Sequence, residues 1–209
     1  MIDPGHNGAN AQYPADIGRP VDAGGFTKAC NTTGTANDAM AEAELNWLVA
    51  GELRSLLDAD GVRTVMTRTS NDGWGPCVDE RGLTAARSNA DLLVSIHADG
   101  AASSAHGFHV IHPAPGPTVD ATTAARSEEL AVRVRDELVA AGFAPATYVG
   151  VDGVVERGDL GTLNRAGVPA VMVECGNMHH PGDAEVFASP DGRRRIAAAV
   201  AEAVASWNG

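Results

Sequence analysis

Ile2-Asp3-Pro4-Gly5-His6-Asn7-Gly8 is the stretch on which the reading of this chain turns. Proline fixes φ and cannot donate to a sheet ladder, so a strand ends near Pro4. Gly5 and Gly8 tolerate backbone angles that other residues avoid, which suits a turn that presents His6. A histidine at the end of a sheet strand sits where open α/β folds keep their active sites. Two other apolar runs have the same form. Asp91-Leu92-Leu93-Val94-Ser95-Ile96-His97 ends in histidine, and Ala170-Val171-Met172-Val173-Glu174 ends in glutamate. Three buried strands that each deliver a His or Glu at the C-terminal end make a constellation to test for a metal.

Outward from these strands the chain alternates. Asn7 to Asp38 is rich in Gly, Asn, Ala, Thr and Pro, without apolar periodicity, and reads as one long loop. Ala41 to Ala59 is predicted helical, with Leu45, Leu48, Val49, Leu53, Leu56 and Leu57 at spacings of three and four and Gly61 as its stop. Val62 to Thr67 is predicted as a strand, Asn71 to Cys77 as a loop, and Val78 to Asn89 as a second helix. Gly107 to His112 reads as a strand stopped by Pro113, and Pro113 to Asp120 as a linker. Ala121 to Ala141 is a third helix, with Leu130, Val134 and Leu138 on one face. Residues 143–169 mix short strands and turns. Pro190 to Trp207 closes the chain as a helix docked through Ile196, Val200, Val204 and Trp207. Strands alternating with helices predict an α/β fold: a single domain, a twisted, mostly parallel sheet, and helices on both faces. Residues 1–209 read as one domain without an internal repeat, its first strand truncated at the N-terminus.

Totals exclude several classes. A net charge of −12 and few aromatic residues (4%) argue against nucleic acid and against an anionic membrane surface. No run of 18 apolar residues is present, so no membrane span is expected. Cys30 and Cys77 both lie in Gly/Thr/Asn/Pro-rich loops and predict a disulfide, hence an oxidising, extracytoplasmic compartment. Cys175, at a strand end, is expected to be buried. No pair of cysteines has CxxC-like spacing, which disfavours a thiolate zinc site.

A catalytic zinc takes three His, Asp or Glu ligands and keeps one position open. His6 and His97 supply two. Of the two acids that open the first helix, Glu42 shares the inward line of Leu45, Val49, Leu53 and Leu56, whereas Glu44 lies on a line that turns polar. Glu42 is therefore the third candidate ligand; its other reading is an acid that stabilises the helix N-terminus. Glu174 then remains as a carboxylate near the metal but not on it, the place of a general base, or else an ion-paired acid at a strand end. Arg157 and Arg165 are candidate partners for it or for substrate. His106, His109 and His112 are weaker candidates, the last two falling on opposite faces of their strand, and His179 and His180 read as solvated.

The four stretches Ile2–Gly8, Glu42 with Asn46, Arg81 with Asn89–Asp99, and Pro169–Asn177 together resemble the zinc-dependent N-acetylmuramoyl-L-alanine amidases of the amidase-3 type, bacterial cell-wall enzymes. The resemblance implies zinc on His6, Glu42 and His97, with Glu174 as the catalytic glutamate. It implies hydrolysis of the amide between the lactyl group of N-acetylmuramic acid and the L-alanine of the stem peptide, with peptidoglycan or muramyl-peptide fragments as partner. Asp99 stands where the family commonly has Asn; Asp99, Arg165 and Asn177 are candidates for contacting substrate or supporting the ligands. No amphipathic insert that would plug the site is visible, so no obligatory activator is expected. No wall-binding repeat is visible either, which favours small fragments. The rival expectations are a zinc peptidase or deacetylase acting on another amide, and a peptidoglycan-binding domain without activity.

Overall fold

The structure is a computed structural model that describes residues 1–207; the last two residues of the expected domain lie outside it. β1 (Ile2–Pro4) enters a strap that holds α1 (Pro14–Gly18) and a hairpin of β2 (Pro20–Asp22) and β3 (Thr27–Ala29). Next come α2 (Glu42–Ala59), α3 (Val78–Arg87), β4 (Leu93–Asp99), β5 (His109–Pro113), α4 (Ala121–Ala140), β6 (Val154–Arg157), α5 (Gly161–Asn164), β7 (Ala170–Asn177), α6 (Pro181–Ala188) and α7 (Pro190–Ala205).

The main sheet has the order β1-β4-β7-β5-β6. The β1–β4, β4–β7 and β5–β6 pairings are parallel, and β5 runs antiparallel to β7. Alternation along each strand sorts the side chains. Ile2, Val94, Ile96, Val110, Val171 and Val173 pack on one face against Leu45, Val49 and Leu53 of α2, Leu130 and Val134 of α4, and Ile196 and Val200 of α7. Leu93, Ile111, Ala170 and Met172 pack on the other face, against Ala85 of α3 and Leu163 of α5. Helices thus cover both faces, as the alternation of elements predicts.

Local chemistry sets the helix ends. Asp120 caps α4, its carboxylate accepting from the backbone N–H groups of Thr122 and Thr123 at 2.9 Å each. Ser189 caps α7, with Pro190 at its first position.

Several expectations are corrected. Val62 to Thr67 is not a strand: it meets β1 at a single bridge between Ile2 and Met66, with Ile2 N–H donating to Val65 O at 2.8 Å and Thr67 N–H to Ile2 O at 3.1 Å. β1 is three residues long and its proline has no N–H, so the ladder has nothing further to pair with. Asn7 to Asp38 is not one long loop, because α1 and the hairpin lie within it; their three- to five-residue lengths are too short to register as periodicity. β4 and β7 continue past His97 and Glu174 to Asp99 and Asn177. Pro113 is the last residue of β5, in register with Arg157, rather than a stop before it. The second helix ends at Arg87, and Asn89 takes a positive φ of 51°. The closing helix stops at Ala205, short of Trp207, and α6 had no counterpart in the sequence reading.

Candidate active site

The parallel strands β1, β4 and β7 deliver His6, His97 and Glu174 to one edge of the sheet. His97 and Glu174 are in direct register, and His6 follows β1 by two residues. Glu42, at the start of α2, reaches the same edge. Its Oε2 lies 3.2 Å from His6 Nε2 and its Oε1 2.8 Å from His97 Nδ1. Glu42 is 4% exposed, whereas Glu44 faces solvent. The candidate ligand atoms of His6, Glu42 and His97 all lie within 4.8 Å of one another.

The surroundings fit a metal. His6 Nδ1 lies 3.0 Å from Thr32 O, so an Nδ1–H donated to that carbonyl leaves the Nε2 lone pair facing Glu42. Two glycines leave room for the three side chains. A Cβ on Gly5 would sit 2.2 Å from His97 Nε2, and one on Gly34 would sit 2.7 Å from Glu42 Oε2. The sequence suggests that glycine supplies the unusual angles of this turn, but His6 itself takes the left-handed conformation, at φ 55°, a strain of about 1 kcal/mol or more for a side chain of this kind.

A buried clamp overrides that strain. Arg81 is 2% exposed. Its guanidinium donates to Asp3 Oδ1 at 2.7 Å, Pro4 O at 2.8 Å, His6 O at 2.6 Å, Gly75 O at 2.9 Å and Pro76 O at 2.9 Å. Arg68 donates to Pro4 O at 3.0 Å and Ala43 O at 2.9 Å, which ties β1 to the first turn of α2. Burial, and then the neighbouring Arg81, push Arg68 down to about 10. Burial raises the Asp3 carboxyl, but Arg81 and the hydroxyls of Thr67 and Ser95 outweigh it and hold Asp3 below its ordinary value. The Cys30–Cys77 disulfide joins the end of the hairpin to the N-cap of α3, and Val78 N–H donates across it to Cys30 O at 2.7 Å.

The two carboxylates of the site are driven apart. Burial raises Glu42, but the two imidazoles reverse this and hold it well below the usual range. Burial, then Glu42 and Asp99, push Glu174 well above it, with Arg157 pulling the other way. Glu174 Oε2 is shielded from solvent without a hydrogen-bond partner. A metal-ready pair of imidazoles with a separate proton-accepting carboxyl is the equipment of a hydrolase.

The other sequence candidates fall in different places. Asp99 accepts from Tyr148 Oη at 3.0 Å and from Gly100 N–H at 2.8 Å. Arg157 makes two bonds to Asp159, at 2.8 and 2.7 Å, rather than to Glu174. Arg165 pairs with Asp22 of the hairpin at 3.0 Å. Asn177 is fully buried; its amide donates to Ala102 O and Ala105 O, and His179 N–H donates to its Oδ1. Cys175 is buried and unpaired. His109 stands opposite Glu174 on β5, on the site face, with Nδ1 unpartnered. The structure brings in three residues that sequence reasoning had not placed: Arg68, Tyr148, and Lys28 of β3. Only the Gly/Pro signals around them, marking loops that return to the site, could have pointed there. Lys28 lines a cavity of about 240 Å³ together with His6, His97, Glu174, Val78 and Leu160.

Comparison with known proteins identifies the family. The amidase-3 family model, described as N-acetylmuramoyl-L-alanine amidase, matches residues 1–206. An N-acetylmuramoyl-L-alanine amidase of Mycobacterium tuberculosis is 43% identical over 209 residues, covering 99% of this chain and 85% of that protein. The crystal structure of an N-acetylmuramyl-L-alanine amidase from Mycobacterium smegmatis superposes with a TM-score of 0.92 at 43% identity, covering 98% of this chain and 93% of that one. An amidase structure from Clostridium difficile 630, at 22% identity and a TM-score of 0.73, shares the fold, with 98% and 93% of the two chains covered. The chain belongs to the N-acetylmuramoyl-L-alanine amidase family and is an amidase of that type.

Proposed function

We propose that this amidase is zinc-dependent, with His6, Glu42 and His97 as the metal ligands and Glu174 as the general base. Its substrate is the amide between the lactyl group of N-acetylmuramic acid and the L-alanine of a peptidoglycan stem peptide. The observation that carries the assignment is the convergence of two imidazoles and Glu42 within 4.8 Å beside a carboxyl whose Oε2 has no partner. Zinc held there supplies a Lewis acid for the lactyl carbonyl and makes water a stronger acid. Glu174 Oε2 is free to take a proton from the attacking water and to hand it to the departing alanine nitrogen. Arg81 holds the His6 carbonyl, and Gly5 leaves His97 its room, so the ligands are positioned before substrate arrives.

The setting we assign is extracytoplasmic, because the Cys30–Cys77 bond joins two loops and such bonds persist in oxidising compartments. No helix among the described residues is long and apolar enough to cross a membrane. Residues 1–209 act as one catalytic domain that needs no activator, with soluble muramyl peptides among the substrates.

The test is digestion of muramyl dipeptide and of polymeric peptidoglycan, with and without a chelator, followed by mass spectrometry. A chelator-sensitive, zinc-restored split between lactyl group and L-alanine is expected. Cleavage elsewhere in the peptide would move the enzyme to the peptidase reading. Full activity after metal removal would overturn the zinc assignment.

A further inference from the structure

Lys28 is the only lysine in the sequence; every other basic side chain apart from histidine is arginine. It stands on the rim of the cavity that contains His6, His97 and Glu174. Its ammonium donates to Asp159 O at 2.7 Å and lies 3.5 Å from Asp159 Oδ2. That carboxylate is already gripped by Arg157 through both oxygens. Two cations thus share one anion. An ammonium has three N–H donors, and only one of them finds a close acceptor here. The Lys28 side chain remains 38% exposed, and because Arg157 shares the same carboxylate its charge is only partly compensated, in a chain whose net charge is −12.

The position is held firmly. The hairpin that bears Lys28 is tied down by Arg165 to Asp22 at 3.0 Å, by Asn164 Nδ2 to Ala23 O at 2.9 Å, and by the disulfide at Cys30, two residues away. An exposed lysine on a free loop would be a solvated charge. One carried on a hairpin anchored at three points stands at the cavity rim in a defined place.

We propose that Lys28 is a specificity residue that binds a carboxylate of the stem peptide just beyond the scissile bond. This rests on the amidase reading. In the substrate the lactyl carboxyl is consumed by the amide itself, and the N-acetylated sugars are neutral. The carboxylates of a muramyl peptide therefore lie on the peptide side. An ammonium with donors to spare matches a carboxylate and has no charged counterpart on the glycan. Val78, Leu160 and Met172, on the same cavity wall, give the peptide an apolar surface to lie against. The rim thus separates the two halves of the substrate by charge.

The test uses the zinc-loaded full chain and two N-acetylmuramyl-L-alanyl dipeptides that differ only in whether the second residue ends in a free carboxylate or a carboxamide. The readout is the ratio of kcat/KM for the two. The wild type is expected to favour the carboxylate by about tenfold, the scale of one partly exposed charge-assisted hydrogen bond. In Lys28→Met the ratio falls to about 1, in Lys28→Arg it stays well above 1, and in Lys28→Glu it inverts. The difference should appear in KM rather than kcat. A ratio near 1 in the wild type, with both peptides cut at the lactyl–alanine bond, overturns the Lys28 assignment alone. So does a ratio that Lys28→Met leaves unchanged. Failure of the wild type to cut either peptide, or a cut at another bond, overturns the amidase reading and this proposal with it.

Discussion

The two halves of the site edge are built on opposite plans. On the β1–β4 side the charged groups are paired: Asp3 with Arg81, and Glu42 with two imidazoles. On the β7–β5 side they are left alone: Glu174 Oε2 and His109 Nδ1 are buried without partners. Pairing fixes geometry, and leaving a buried acid unpaired raises its hold on a proton. On the proposed roles, one half holds the ligands and the other exchanges protons.

The largest effect should come from substitutions that separate those roles. Glu174→Ala is expected to keep one zinc per chain and to lose activity by a factor on the order of 10² to 10⁴. His6→Ala and His97→Ala should lose metal and activity together. Metal content and turnover measured on the same preparations check this. Release of zinc from Glu174→Ala would place Glu174 among the ligands and erase the division between the halves.

The holding half should be the more sensitive to loss of a partner. Arg81→Met leaves Asp3 buried and uncompensated, and is expected to cost about 3–5 kcal/mol in denaturant unfolding. Arg81→Lys should recover little of this, since three donors on a point charge cannot reproduce a five-donor fork. The disulfide closes a loop with a sequence separation of 47 residues. Its removal in a Cys30→Ser/Cys77→Ser double variant is expected to cost about 4 kcal/mol in the chain-entropy model. Hydrogen exchange should speed up first in residues 19–31. A uniform rise across the sheet would mean that the strap and the core unfold as one unit.

The same division governs how much could be read beforehand. Leu45, Val49 and Leu53 of α2, and Val94 and Ile96 of β4, announce their elements through period and apolar content. The inward line through Leu45 also separates Glu42 from Glu44. The mixed sheet direction was not legible, because the reversal of β5 is made by the helix-free return through residues 100–108 after β4 rather than by any local signal in His109–Pro113. Nor was the clamp. Arg81 and Arg68 sit in polar stretches, and what makes them structural is the set of carbonyls at Pro4, His6, Ala43 and Gly75 that only the folded chain gathers. Lys28 reaches the cavity, and Tyr148 reaches Asp99, from segments with no periodicity. The proposed ligands His6 and His97 were legible because strand ends announce them, and Glu42 because it lies on the inward line of α2; the walls were not, because they are made of returning loops.

The smallest expected effect tests the unpaired half directly. Burial lowers His109 from an ordinary value of 6.5 to about 4, with Asp99 resisting and Arg157 assisting. The unfolded chain therefore takes up a proton between pH 6.5 and 4 that the folded chain refuses. Stability contributed by neutral His109 is complete above pH 6.5, falls as the solution is acidified, and levels off below 4. A shift of that size corresponds to at most about 3 kcal/mol. Carboxylates titrate in the lower part of this window, so the quantity to measure is the difference between wild type and His109→Gln at each pH. That difference should shrink by about 2–3 kcal/mol from pH 7 to pH 4, because glutamine has no proton to gain. A constant difference would mean that His109 finds a partner for its charged form, and that the second half of the site is better paired than its geometry indicates.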